Sequence, residues 1–251
     1  MFVGQAFQPD TYVRLESLTY EVIPGCRLRG PTLGNRAIIL WGASGHALVL
    51  QEFLRDIGFD LIALFDNNPT IVSPIKEVPL YHGTSGFEKW SRGRELRNLW
   101  FAVAIGGARG KERFALYQYL SENGLRPATL VHPASFVAKT ASVAEGCQIL
   151  AQASVCACAN LGEACIINTR ASVDHECILG KGVHVAPGAT LCGSVSVADF
   201  AMVGAGATVL PRVQIGEGAV VGAGSVLTKN LKEGQIAFGV PARVRREHPG
   251  A

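Results

Sequence analysis

What the chain has little of narrows its chemistry first. Only 17% of its residues are charged and the net charge is +3, too slight a balance to mark a nucleic-acid partner. No apolar run approaches the ~18 residues that a membrane-spanning helix needs, so no membrane insertion is expected. The seven cysteines are odd in number and include no CxxC pair, which argues against a disulfide framework or a structural zinc site. The opening segment, MFVGQAFQPDTYVRLESLTYEVIP, has neither the basic start nor the apolar stretch of a secretory signal, and the expectation is a cytoplasmic protein. Residues 1–35 carry little pattern; they are expected to form a poorly ordered leader or a short added strand.

What is present is aliphatic and periodic. Nearly half of the 251 residues are hydrophobic, and 29 are glycine, a composition that suits a compact fold and not a disordered one. Stepping by six from Val131 meets only Val, Ile or Leu as far as Leu227, seventeen positions in a row. If about a third of residues were of these types, chance would produce such a run about once in 10⁸ trials. Four residues after each of these, from Ser135 through Cys147, Cys165 and Cys177 to Ser225, nothing larger than valine occurs. Such positions face a crowded interior corner, where a larger side chain would overpack. The three cysteines are therefore expected to be small core residues. A hexad repeat of this kind marks a parallel β-helix.

Ahead of the ladder the pattern changes. RAIILW (36–41) reads as a buried parallel strand. GASGHALVLQEFLRDIG follows as a turn and an amphipathic helix, with Leu48, Phe53, Leu54 and Ile57 near helical spacing. FDLIALF is the next strand and ends on Asp66-Asn67-Asn68. LWFAVAI (99–105) runs into Gly106-Gly107, and RGKERFALYQYLSENG forms a second helix closed by Gly124. Strand, glycine turn, helix, strand and acid follow the mononucleotide-binding βαβ logic. The turn Gly42-Ala43-Ser44-Gly45-His46 lacks the full G-x-G-x-x-G fingerprint, so a nicotinamide cofactor is not expected. Asp66 stands where it could bind a ribose or sugar hydroxyl, or serve as a strand-end turn residue. The organisation that results is a leader (1–35), a Rossmann-like α/β domain (36–129), a β-helix (130–229) and a tail (230–251).

A GASGH turn in a βαβ unit, followed by a hexapeptide prism that carries NTRASVDHECILGKGVH, resembles the sugar acyltransferases of the sialic-acid O-acetyltransferase type. Within them it looks most like the branch that N-acetylates UDP-4-amino sugars in bacillosamine synthesis. The resemblance runs from about Arg36 to the C-terminus, leaving out the leader and the connection 69–98. It implies a left-handed β-helix, acetyl-CoA as acyl donor with no metal required, and a nucleotide-activated amino sugar as acceptor. It implies His175 as general base, Glu176 as the carboxylate that tunes it, and His184 at the thioester. Ala205 and Ala223 would line the acetyl-CoA channel through their backbone. The tail, GVPARVRR, resembles the family's, and Arg243 would meet a CoA phosphate; a solvated basic terminus is the alternative. The sugar nucleotide would lie at Ser44, Gly45, His46, Asp66, Asn67, Gly106 and Arg109. Asn67 and Arg109 stand where the bacillosamine enzyme has acidic residues, which points to a different or more anionic sugar.

The residues themselves support that chemistry. Transfer from a thioester requires a proton to leave the nucleophile, and imidazole titrates near neutral pH; a positioned base is worth ~10²–10⁴ in rate. The thioester is already activated, so Cys177 is not needed as a nucleophile. His175 and His184 are nine residues apart, half of an eighteen-residue coil, and so lie on different faces. Both reach one site only if they come from neighbouring prisms. Together with the family's habit, this predicts a homotrimer with interfacial active sites. The rival readings are O-acetylation of a sialic-acid-like sugar, a non-catalytic hexapeptide binding module, and a prism carbonic anhydrase. The last needs a third histidine ligand, for which the ladder offers only the remote His132.

Overall fold

The computed structural model describes residues 35–247; the expectations for the leader and for the last four residues lie outside them. The front domain runs β1 (Arg36–Trp41), α1 (Gly45–Leu54), β2 (Phe59–Asp66), β3 (Leu80–His82), α2 (Gly83–Ser91), β4 (Trp100–Val103), α3 (Gly110–Glu122) and β5 (Arg126–Pro127). The sheet has the order β3-β2-β1-β4-β5, and every pairing is parallel. The order reverses between β1 and β4, which places a crevice outside the carboxyl ends of those strands. Gly42 makes the crossing possible: its φ is +110°, and a Cβ there would lie 2.4 Å from the Ala104 carbonyl oxygen.

Two differences from the sequence reading are local. Helix α1 buries Phe53 and Leu54 as expected, and Ile57 packs against the same core, but Leu48 is 41% exposed and Ala47 and Leu50 take its place. Strand β3, helix α2 and strand β5 are absent from the sequence reading. Their signals are weak, since β3 has three residues, β5 has two, and α2 opens on Gly-Thr-Ser-Gly, all poor helix formers.

The prism is a left-handed parallel β-helix. Two-residue strands from β6 (Leu130–Val131) to β22 (Val226–Leu227) recur every six residues and pair eighteen residues apart, as Val155 does with Val173. Three faces result. The docked face begins with β6 and carries Gln148, Ile166 and His184 on its outside; the Ser/Thr face carries Ser154, Ser172, Thr190 and Thr208; the open face carries Asn160, Ile178, Ser196 and Gln214. The aliphatic ladder and its small companions fill one core, with Cys147, Cys165 and Cys177 fully buried, as their pattern predicts. The tail does more than trail away: β23 (Gln235–Gly239) pairs parallel with β21 (Val220–Val221), and β24 (Ala242–Glu247) folds back antiparallel on it. This hairpin closes the end of the docked sheet and blunts an otherwise exposed edge. Among the described residues no helix is long and apolar enough to cross a membrane.

Candidate active site

At the strand-order reversal a crevice is lined by Trp41, Gly42, Ser44, His46, Asp66, Asn67, Ala104, Ile105, Gly106 and Arg109. Six of the seven positions that the resemblance places at the sugar nucleotide thus share one cavity; Gly45, the first residue of α1, is not in its wall. The Asp66 carboxylate is heavily used by the backbone: Oδ2 accepts from Ala43 N–H at 2.8 Å and Oδ1 from Asn68 N–H at 2.8 Å. It fastens the β1–α1 turn, so the turn-residue alternative describes what it does in this structure. The Trp41 indole can only donate, and it donates to Asn67 Oδ1 at 3.3 Å, which leaves the Asn67 –NH2 end for a ligand. Arg109 is gripped by Glu112, with Nε to Oε2 at 2.6 Å, and its pKa is raised chiefly by that hydrogen bond. Glu112 thereby returns to the rim one of the two negative charges counted as lost from the sequence.

His46 is held by the prism. Gln148 Nε2 donates to the Val103 carbonyl at 2.8 Å, which turns Gln148 Oε1 toward His46 Nε2 at 2.7 Å. His46 must then carry its proton on Nε2 and keep Nδ1 as an acceptor. Burial lowers its pKa, which favours this neutral ring.

His184 lies beneath the β4–α3 turn on the docked face and is buried. Gly107 N–H approaches Nδ1 at 2.9 Å, and Asn168 Nδ2 approaches Nε2 at 3.1 Å. The Gly107 carbonyl also lies 3.3 Å from Nδ1; burial, with the Arg113 charge second, lowers the pKa to about 3, so the ring is neutral. The resemblance implies a thioester contact for this residue. Within the chain it seats the loop that carries Gly106 and Gly107.

A pH dependence follows. Between about pH 6.5 and 3 the unfolded chain binds a proton at this position and the folded chain does not, so stability is complete above pH 6.5 and falls as the pH drops through that window. His46 acts in the same direction. Urea midpoints measured from pH 7 to 4 are expected to fall less steeply in His184→Asn than in the wild type; parallel curves would contradict the assignment.

Arg113, which the sequence reading passes over, is fully buried on α3 and has no carboxylate partner among the described residues. Its Nε donates to Ala164 O at 3.0 Å, Nη1 to Ile105 O at 2.8 Å, and Nη2 to Gly182 O. Two of these acceptors belong to prism turns and one to the crevice wall, so a single guanidinium ties the two parts together. Burial lowers its pKa to about 10, far enough above neutrality for the charge to persist. Gly110 permits the approach, since a Cβ there would meet Gly182 O at 2.7 Å and Phe200 Cα at 2.8 Å.

His175 occupies the corner between the Ser/Thr face and the open face, directly after β13 (Ser172–Val173). Its side chain is 55% exposed, and Nδ1 lies 3.0 Å from Glu176 Oε2. Asp174 Oδ1 accepts from His175 N–H at 2.8 Å and shapes the turn. Glu176 has φ +57°, but Gln152, Cys158, Arg170 and Ser194 share that conformation; it belongs to the coil geometry and marks no special strain. Cys177 points inward, its thiol donating to Cys192 O at 3.2 Å, and burial raises its pKa to about 11. A protonated core thiol is no nucleophile.

Ala205 and Ala223 stack at a different corner, between the docked and Ser/Thr faces, joined by Gly224 N–H to Ala205 O at 2.8 Å. The tail hairpin closes on this corner: the Phe238 ring fills the space over Gly222, and Phe238 pairs across the hairpin with Arg243. Three of the four positions that the resemblance assigns to the acyl donor, Ala205, Ala223 and Arg243, therefore lie together at one end of one corner, while the fourth, His184, lies on the docked face. The crevice, the His175 corner and the alanine corner remain three separate places on a single chain. Among the described residues no three His, Cys, Asp or Glu side chains come together as a metal-binding group.

A family model described as the PglD N-terminal domain matches residues 37–117, and one described as bacterial transferase hexapeptide (six repeats) matches residues 194–229. Among solved structures, a histidine-to-asparagine mutant of perosamine N-acetyltransferase from Caulobacter crescentus, in complex with CoA and GDP-perosamine, is 31% identical. It superposes with a TM-score of 0.76 over 86% of this chain and 98% of that one. The acetyltransferase domain of PglB from Neisseria gonorrhoeae, in complex with acetyl coenzyme A, is 26% identical, with a TM-score of 0.75 over 84% of this chain and 100% of that one. WeeI from Acinetobacter baumannii, 24% identical with a TM-score of 0.68, shares the fold over 83% of this chain and 99% of its own.

Proposed function

Because the chain belongs to the PglD-type family of hexapeptide-repeat sugar acyltransferases, we propose that it transfers an acetyl group from acetyl-CoA to the amine of a nucleotide-linked amino sugar. The observation that carries this reading is the His175–Glu176 pair. Glu176 accepts the proton on Nδ1, so Nε2 presents its lone pair at a prism corner. A neutral amine that attacks the thioester carbonyl becomes an ammonium as the C–N bond forms, and Nε2 removes that proton. The carboxylate on the opposite nitrogen stabilises the imidazolium that results. When the C–S bond breaks, the same proton can pass to the departing thiolate.

The front crevice is the place for the nucleotide sugar. It offers hydrogen-bonding groups of both kinds, namely the Asn67 amide N–H, the Arg109 guanidinium and His46 Nδ1. The alanine corner, with Arg243 beside it, is the place for the acyl donor: bare backbone along a channel, and a cation for a phosphate. Since these places and His175 are separate on one chain, the working site is assembled from neighbouring copies in a homotrimer. GDP-perosamine is the acceptor bound by the Caulobacter crescentus relative, which makes 4-amino-4,6-dideoxy sugars on GDP, UDP or dTDP the set to try.

Thiol release from acetyl-CoA is expected on adding one of these sugars, together with a gain of 42 Da in the product, about the mass of one acetyl group replacing hydrogen in the transfer step. Modification of the 4-hydroxy analogue alone would replace the amine by a hydroxyl acceptor. Light scattering is expected to give three times the monomer mass, and a fully active monomer would overturn the interfacial site.

A further inference from the structure

We infer that Gly193 is the seat of the general base: the missing side chain at this position creates the space in which the His175 imidazole stands. The inference rests on the role proposed for His175 and adds to it a positioning residue one coil away.

Two observations carry it. A Cβ built on Gly193 would lie 2.4 Å from His175 Nε2 and 2.5 Å from Cε1, and the three nearest atoms it meets all belong to that ring. No heavy atom can occupy such a position, so any side chain there either displaces the imidazole or blocks the nitrogen that must take the proton. The second observation comes from the repeat. The equivalent hexad position, followed from Pro133 to Ala223, holds Lys139, Glu145, Ala151, Thr169, Pro187 and Asp199 among others, and Gly193 is its only glycine. The coil therefore does not demand glycine here, and Gly193 is not among the glycines with positive φ. A requirement that the backbone does not impose must come from what lies against it, and that is His175.

The neighbouring residue completes the seat. Ser194 N–H donates to the His175 carbonyl at 2.9 Å, and its hydroxyl reaches Glu176 Oε2 at 3.5 Å. The bond to the carbonyl is the ordinary turn bond of the coil, repeated from Glu176 N–H to Ala157 O and from Arg212 N–H to Gly193 O; what is particular to this coil is the gap left for the ring and the hydroxyl that reaches its carboxylate.

The test is a double-mutant cycle in the full chain. Gly193→Ala is expected to lower Tm in the wild-type background by about 3 °C, the shift that a lost contact of ordinary size gives in a chain of this length. In the His175→Ala background the same change is expected to be neutral, because the clash is gone. Equal destabilisation in both backgrounds would show that Gly193 serves the backbone, and would overturn the inference. With acetyl-CoA and GDP-perosamine as probe substrates, Gly193→Ala is expected to lose at least tenfold in kcat. The acid limb of its kcat/KM profile is expected to move, a change that lowered stability alone does not produce. Activity equal to wild type, where His175→Ala is impaired, would also overturn it. If His175→Ala retains full activity while the stability cycle shows coupling, the seat stands and the catalytic role of His175 is what fails.

Discussion

His175→Ala is expected to lower kcat by at least tenfold, and a loss of ~10²–10⁴ is the ordinary range for removing a positioned base. Tenfold corresponds to about 1.4 kcal/mol of barrier. The loss should fall on kcat, with KM for acetyl-CoA little changed, because His175 lies away from the Ala205–Ala223 corner. Glu176→Gln is expected to lose less, since the amide oxygen still accepts from Nδ1 at the 3.0 Å separation but carries no charge to stabilise the imidazolium. Stability should be nearly untouched in both, as the two side chains are more than half exposed. Steady-state kinetics beside a thermal melt separates the outcomes, and unchanged turnover in His175→Ala would refute the assignment.

The second large effect concerns Arg113. Arg113→Met keeps most of the buried volume and removes the charge, yet it is expected to destabilise the protein by about 3–5 kcal/mol. Replacing a buried ion pair by apolar residues is often harmless, because both polar partners leave together. Here the partners are the backbone carbonyls of Ile105, Ala164 and Gly182. They cannot be mutated away, so each stays buried without its donor. Since folded proteins are stable by only about 5–15 kcal/mol, such a loss endangers the fold. Arg113→Lys restores the cation but not three donors spread over a plane, and is expected to recover only part of the stability. Urea unfolding decides the matter; a midpoint for Arg113→Met equal to wild type would show that the carbonyls find other partners.

The two parts of the chain were legible in the sequence to different degrees, and for physical reasons. The prism repeats one small solution, so an aliphatic such as Val173 and a small neighbour such as Cys177 reveal their burial by position alone. Strands β1, β2 and β4 with helices α1 and α3 could be read from apolar runs and glycine turns. Short elements such as β3 and β5 could not, because tertiary pairing and not local pattern makes them. The site divides in the same way. Ser44, His46, Asp66 and Arg109 are locally marked by turns at strand ends, and the structure gathers them at one crevice. Arg113, Gln148 and Asn168 carry no local mark, since their meaning is a contact across 51, 102 and 16 residues of sequence respectively. His184 shows the limit from the other side: its position predicted a special role, but only the fold shows the turn that it holds.

The eighteen-residue pairing has a further consequence for how this protein can change over time. Each coil advances the prism by one strand spacing, ~4.8 Å, and brings the chain back to the same face. Insertion or deletion of eighteen residues would move the tail hairpin along the axis while keeping every corner in phase. A change of six or twelve would leave the core equally well filled, yet it would carry everything beyond it round to the next corner and part Ala223 from the column of Ala205. Gain or loss of one residue would turn a whole aliphatic row outward unless a loop absorbed it. Length in this molecule is therefore quantised twice, in sixes for stability and in eighteens for function.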